Sequence, residues 1–308
     1  MHRSFTITVP PAHTDTLCQE LNTLETVVGL TLHRGASQKP PGDVVTVQVL
    51  NRGADEVLRR VRAQVPEQQI SVATAELTSL IIPAQKKLVV GDKDEAIWEE
   101  MESGLRYQAR ITPNYLYLMF LAGLVCAVGL VSEAVPQAVA FTAAAVIAPG
   151  FDPVAKVPLG IVLRRWPVVW HGLLSTVVGY AVLIGAAWLT MEGLLWAGET
   201  TPAELAGNSE VQNLMAPKLK ELLVSGGGAL AGVVMLAAFR RSFMAGPLIA
   251  QAIIPAAALI GAGLATSQVP LAWAGAVRFG LDWVGIVGFG LLLFGLKQLA
   301  VHRRRTLL

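Results

Sequence analysis

The residues of this chain with chemistry to offer are the few polar side chains that interrupt long apolar runs. Asp152 and Lys156 stand four apart, with Pro149 and Gly150 before them, Pro153 between them and Pro158 after them. On a helix that spacing puts carboxylate and ammonium on one face, where they can pair. The prolines remove amide hydrogens and break a helix near 149–152. A helix restarted at Pro153, with Asp152 as its N-cap, presents a partly positive N-terminus to an anion. An ionised Asp152 competes for that place, so the sign of a ligand stays open. Gln251, between Pro247 and Pro255, is the strongly polar group of its run, as a packing hydrogen bond or a substrate contact. Ser225-Gly226-Gly227-Gly228 either lets helices approach closely or bares backbone to a solute. Arg278 and Asp282, again four apart, read as a paired bridge or as part of a pathway. His171 is structural or couples protons. The set expected to contact a small solute or ion is Pro149, Gly150, Asp152, Lys156, Ser225, Gly226, Gly227, Gln251 and Pro255.

Other chemistries find little support. No Ser/His/Asp set, carboxylate pair or metal-ligand spacing converges in the apolar part, so neither an enzyme nor a cofactor or metal site is expected. His2, His13 and His33 are scattered, and Cys18 and Cys126 lie in different regions, which excludes a disulfide framework. A net charge of +2 gives nucleic-acid binding no electrostatic basis.

The elements that must position these residues follow from charge and hydropathy. Of 46 charged side chains, residues 1–110 hold 26, and only 17 fall between Ile111 and Leu299. Mean hydropathy is +0.54. The chain therefore divides into a soluble first third and a membrane remainder. Six spans are expected, at about 115–132, 135–164, 167–190, 221–239, 243–266 and 270–299, with the lipid bilayer as partner. A continuous helix over 135–164 would be about 45 Å long, more than the hydrocarbon thickness, so a break is expected there.

Arg106 and Arg110, Arg164 and Arg165, Arg240 and Arg241, and Lys297 with Arg303 to Arg305 mark alternate connections, with only Lys218 and Lys220 dissenting. Both termini are then expected in the cytoplasm of a prokaryotic cell, the protein lying in its inner membrane. The start of the chain lacks the apolar stretch of a secretory signal, in keeping with this.

The soluble third, 1–78, shows strand alternation at Phe5, Ile7 and Val9, helical spacing at Leu17, Leu21 and Leu24, and alternation again at Val28 to Leu32 and Val44 to Leu50. Residues 37–42 read as loop. A helix with Val57, Leu58, Val61 and Val65 inward and a strand from Ile70 to Leu77 complete a βαββαβ, ferredoxin-like order. Residues 79–113 form a linker and a charged juxtamembrane helix over 94–110, with Ile97, Met101 and Leu105 on one stripe. The membrane part occupies 114–299, and 300–308 is a basic tail.

A shift of 106 residues superposes Val146-Ile147-Ala148-Pro149 on Ala252-Ile253-Ile254-Pro255 and Val178-Gly179 on Val284-Gly285. The repeats are 114–197 and 220–299, each of three spans, with a proline in the second span of each. Three is odd, so the second copy enters from the opposite face. Inverted repeats with matched broken helices are the pattern of secondary transporters.

The Pro113-Asn114-Tyr115-Leu116 entry, the Ile147-Ala148-Pro149-Gly150-Phe151-Asp152-Pro153 break, Ser225-Gly226-Gly227-Gly228-Ala229 and Ile254-Pro255 together resemble a bacterial and archaeal hydrophobic family. It is catalogued as "domain of unknown function three-eight-nine". The resemblance covers roughly 100–265, with a similar small N-terminal domain in many members. In that family the break usually reads Ile-Ser-Pro followed by Gly-Pro. Here Ala148 replaces the serine and Asp152 the glycine. The resemblance implies the membrane fold and supplies no substrate. The expectation is a small-solute transporter or channel-like permease. The alternative is a membrane-anchored sensor or scaffold. The glycine-rich faces also suit self-association into a homo-oligomer.

Overall fold

The computed structural model describes residues 2–77, 79–83, 88–89, 92, 97–108, 110–216, 219–238 and 245–300. Lys218, Arg240, Arg241, the tail from 301 and the start of the charged helix at 94 lie outside the described residues, as does the side chain of Gln251. Two compact units divide the chain, the first spanning Met1–Met101 with Lys297–Leu307 and the second essentially Glu102–Leu296.

In the first unit β1 (His2–Val9), α1 (Pro11–Asn22), β2 (Val27–Gln38), β3 (Pro41–Val49), α2 (Ala54–Gln64) and β4 (Ser71–Leu77) follow one another. The four strands form an antiparallel sheet in the order β2-β3-β1-β4. Strand alternation sends Phe5, Ile7 and Val9 of β1 and Val45, Val47 and Val49 of β3 to one face. There Leu17 and Leu21 of α1 and Val57, Leu58 and Val61 of α2 cover them. Ile97 joins the same core, so the unit reaches past the sheet.

The expected loop at 37–42 is mostly strand. β2 and β3 stay paired out to Ser37↔Gly42 and Gln38↔Pro41. Buried Asp43 ties that hairpin to the helices. It accepts from the Gly35 amide at 2.7 Å and from the Thr14 hydroxyl at 2.8 Å. Those two bonds, the Gly35 one first, hold its carboxyl below the usual carboxylate range. Stability from a carboxyl so lowered is present at neutral pH, above its unfolded value. It is lost as pH falls through the folded value.

The juxtamembrane helix α3 runs Trp98–Gln108, and its stripe Ile97, Met101 and Leu105 is buried. The second unit follows with α4 (Pro113–Leu130), α5 (Ala134–Ile147), α6 (Phe151–Val162), α7 (Trp166–Ala197), α8 (Pro202–Gly207), α9 (Ser209–Met215), α10 (Leu219–Ala237), α11 (Ala245–Ala265) and α12 (Val269–Ala300). Each of the six apolar runs is thus helical. By length and composition three of these helices, α4, α7 and α12, can cross a membrane alone. The pair α5 and α6, bent by 50° at a short break, makes a fourth candidate. Over the described residues, α10 and α11 contribute shorter apolar stretches, Leu222–Ala237 and Ile253–Ala265.

Glycines let α4 and α11 run against α7. A Cβ on Gly123 would lie 2.3 Å from the Leu183 carbonyl oxygen, and one on Gly261 2.3 Å from that of Ile184. Hydrogen bonds join three of the connections. Asn208, in the loop between α8 and α9, donates to the Ser132 carbonyl at 3.1 Å and accepts from Gln137 at 3.0 Å. Gln268, between α11 and α12, donates to the Pro202 carbonyl at 2.6 Å. Elsewhere in the unit Arg165 donates to Glu102 at 3.2 Å, joining the α6–α7 turn to the segment before α4.

The turns α6–α7 and α11–α12 have the same geometry. Arg164 and Ser267 take left-handed φ of 53° and 55°. The next amide bonds back five residues in each, Arg165 to the Gly160 oxygen at 2.7 Å and Gln268 to that of Gly263 at 2.8 Å. This is the Schellman pattern of helix termination. From the Asp43 contacts, a pH titration of thermal unfolding should show the N-terminal unit losing stability from about pH 4 downward, near the unfolded carboxylate value. Asp43→Asn should flatten that limb and lower the melting temperature at pH 7.

Candidate functional site

Among the described residues of the second unit, two polar places hold most of the expected site set, and Tyr180 of α7 touches both. The first is the break. α5 ends at Ile147, Ala148 is extended with φ −77° and ψ 124°, and α6 begins at Phe151. The helix therefore restarts two residues earlier than Pro153. Asp152 falls in its first turn, and no side chain caps the helix. Phe151, Pro153 and Lys156 are buried and Asp152 is half-buried.

The Tyr180 hydroxyl donates to the Gly150 carbonyl at 3.2 Å. A Cβ on Gly150 would come within 2.7 Å of that hydroxyl. Tyr115 of α4 does the same for α7, donating to the Ser175 carbonyl at 2.7 Å. A Cβ on Gly172 would stand 2.8 Å from that of Lys156, so α6 lies directly on α7.

The second half has no matching break. α11 is continuous through Pro255, which lies inside the helix. Pro149 is followed by Gly150 and Pro153, all poor helix formers, whereas Pro255 is followed by Ala256, Ala257 and Ala258, the best. Burial of Ile253 to Leu259 holds that helix through the defect. Fifteen residues separate Pro149 from Arg164, but only twelve separate Pro255 from Ser267. The two proline segments do approach. The Ile254 Cδ1 lies 3.8 Å, an ordinary van der Waals distance, from the position of a Cβ on Gly150.

The second place is a cavity of about 240 Å³ between α10 and α12, whose walls include Ser225, Gly226, Asp282, Gly285 and Phe289. Asp282 accepts from the Ser225 hydroxyl at 3.1 Å and from Arg278 Nε at 3.0 Å. The Arg278 and Asp282 side chains are only 5% and 8% exposed. Phe279, beside them, packs edge-on against Tyr180 with ring centroids 4.7 Å apart.

The structure thus divides the expected site set. Pro149, Gly150, Asp152 and Lys156 gather at the break with Pro255 nearby, and Ser225 and Gly226 line the cavity. Gly227 faces open space. The members that the set lacks are Asp282, Arg278 and Tyr180. The spacing of Arg278 and Asp282 had marked a bridge. Its third partner, Ser225, is 57 residues away and beyond any local pattern. Tyr180 gave no signal, being one aromatic residue among many apolar ones.

The break is held by a bond that substitution can remove. Tyr180→Phe should cost about 1 kcal/mol, the usual worth of one hydrogen bond. Gly150→Ala should cost more, through the steric conflict with the hydroxyl. The double variant should recover part of the Gly150→Ala loss, because the phenyl ring leaves room. Thermal melts in detergent would measure all three.

Residues 145–288 match the family model described as domain of unknown function (DUF389). That stretch runs from the end of α5 into α12 and holds both polar places. No curated protein and no solved structure gives a significant match.

Proposed function

We propose, from the premise that the chain carries a DUF389 domain on apolar helices and is a membrane protein, that it is a small-solute permease. On this reading the six apolar runs are six spans, arranged as two inverted three-helix repeats in a prokaryotic cytoplasmic membrane. Both termini are cytoplasmic, and the ferredoxin-like N-terminal domain regulates or assembles the whole.

Several observations support the membrane arrangement. The twin Schellman turns suit repeats, and the hydrogen bonds among alternate connections suit an even number of crossings. Trp166 and Trp170 near the start of α7 and Trp196 at its end are exposed, as rings at two headgroup levels would be.

The observation that carries permeation is the cavity with Asp282, Ser225 and Arg278. A charged pair among apolar helices is expensive and marks a solute pathway more often than a packing contact. Arg278 compensates and orients the carboxylate, and Asp282 with the Ser225 hydroxyl gives a small polar solute its hydrogen bonds. Phe289 and Gly285 supply an apolar wall. The break at Pro149–Gly150, clamped by Tyr180, is the hinge of α6. No group in this scheme does covalent chemistry, so the protein is not an enzyme on this reading.

The second reading, a membrane-anchored sensor, is favoured by the uninterrupted α11 and by the close packing of Gly150, Tyr180 and Ile254. The two separate cleanly. Purified protein in sealed vesicles should pass at least one class among inorganic ions, amino acids and small organic anions or cations. Asp282→Asn should cut that flux at least tenfold and Ser225→Ala severalfold; Asp282→Asn should also lower the melting temperature by leaving Arg278 unpaired, whereas Ser225→Ala should change it little, and flux is compared per folded protein. No flux in any class, or full flux in Asp282→Asn, would leave the anchored sensor.

A further inference from the structure

We infer, resting on the permease reading above, that the solute taken by the α10–α12 cavity is a small organic ammonium ion.

The ion pair does not face the cavity evenly. Asp282 and Ser225 line it, and Arg278 does not. Ser225 has one hydroxyl proton, which it gives to Asp282 Oδ1 at 3.1 Å. What remains at Ser225 is lone pairs. An ionised carboxylate has about four lone-pair sites and no proton. The Ser225 hydroxyl and Arg278 Nε each occupy one, so the carboxylate can accept further bonds. The other described wall residues are apolar or glycine, Leu222, Ala229, Ile286 and Phe289 among them. Every polar side-chain atom that the described walls offer is therefore an acceptor. Arg278 weakens the attraction for a positive solute without reversing it, because the carboxylate is the charge at the wall.

An acceptor-only site sorts solutes by class. An anion meets a carboxylate and no donor. A zwitterionic amino acid places its ammonium but leaves its own carboxylate against apolar walls, an unpaired buried charge. A hard metal cation takes about six or more oxygen ligands, and the walls supply one carboxylate and one hydroxyl. An organic ammonium suits both parts of the lining. Its N–H groups donate to Asp282 and Ser225, and its alkyl part lies against Leu222, Ile286 and Phe289. Aromatic rings also attract cations. Phe289 reaches across to α10, its Cε2 lying 3.8 Å from the position of a Cβ on Gly226. The volume of about 240 Å³ is room for roughly eight waters, which fits an ion of a few carbon atoms.

Amine-bearing lipid headgroups carry the same chemistry. Asp282 lies thirteen residues from the start of α12 and eighteen from its end, about 20 Å and 27 Å along the axis, which puts a headgroup out of reach.

Thermal melts of the full chain in detergent test the class, with n-propylammonium chloride, potassium chloride and sodium butyrate compared at equal ionic strength. Propylammonium should raise the melting temperature saturably, and the other two salts should not. Ser225→Ala should raise the half-saturating concentration severalfold and Asp282→Asn at least tenfold, each read as a shift from that variant's own baseline. Added phosphatidylethanolamine should not compete with propylammonium. A shift with butyrate or potassium as large as that with propylammonium, no shift with propylammonium, or a shift unaltered in Asp282→Asn overturns the inference. Competition by phosphatidylethanolamine overturns the free ion in favour of the lipid. Flux in phosphatidylglycerol vesicles separates the two readings. A propylammonium shift that needs Asp282, without flux of any solute, upholds the site while the permease reading falls. Flux of butyrate but not of propylammonium does the reverse.

Discussion

Backbone amides and carbonyls taken out of water must find partners within the protein, and each unpaired one costs free energy on the scale of a lost hydrogen bond. The second unit is built around that constraint. Long helices satisfy most groups internally, so their ends and their one break need special provision. At the α6–α7 and α11–α12 turns the provision is a six-residue return bond at 2.7–2.8 Å. At the break the provision is a side chain. The Gly150 carbonyl, at the N-cap of α6, receives the Tyr180 hydroxyl. The tyrosine needs space, and only a glycine at position 150 leaves it. Pro149, Gly150 and Tyr180 therefore act together, two interrupting the helix and one fastening the interruption to α7.

The same constraint, applied to charge, explains the cavity. Arg278 and Asp282 cancel each other four residues apart, and the Ser225 hydroxyl uses a remaining lone pair of the carboxylate. A pair fully satisfied in this way can persist among apolar helices. Tyr180 joins this region to the break, bonding Gly150 with its hydroxyl and packing Phe279 with its ring. One side chain thus touches both the break and the helix that carries the ion pair.

Much of this architecture was legible in the sequence where the signal is periodic or dense. Alternation at Phe5, Ile7 and Val9 placed β1 face by face, and every apolar run of about twenty residues became helix. The break was legible because Pro149, Gly150 and Pro153 act within five residues. Pro255 misled because a proline alone does not break a helix when three alanines follow and the surroundings are packed. The turns were missed for the opposite reason. Left-handed φ belongs mostly to glycine, yet Arg164 and Ser267 adopt it here, so composition gave no cue. The Ser225–Asp282 bond was illegible because it is tertiary. Each partner was visible alone, as a serine before glycines and as half of an ion pair.

The two proline-bearing segments show what it takes to interrupt a helix in this bundle. The turns that follow them share their Schellman bonds. α11 passes through Pro255 uninterrupted, with alanines after the proline and buried neighbours around it. At 148–150 the chain leaves the helix, because Gly150 and Pro153 follow Pro149 and none of the three favours continuation. The amide of Ala148 still closes the last turn of α5, and the N-cap carbonyl of α6 is bonded by a tyrosine from α7. The change of direction is thus set by three neighbouring residues and fixed from outside by one side chain, so the bend depends on a contact that a single substitution can remove.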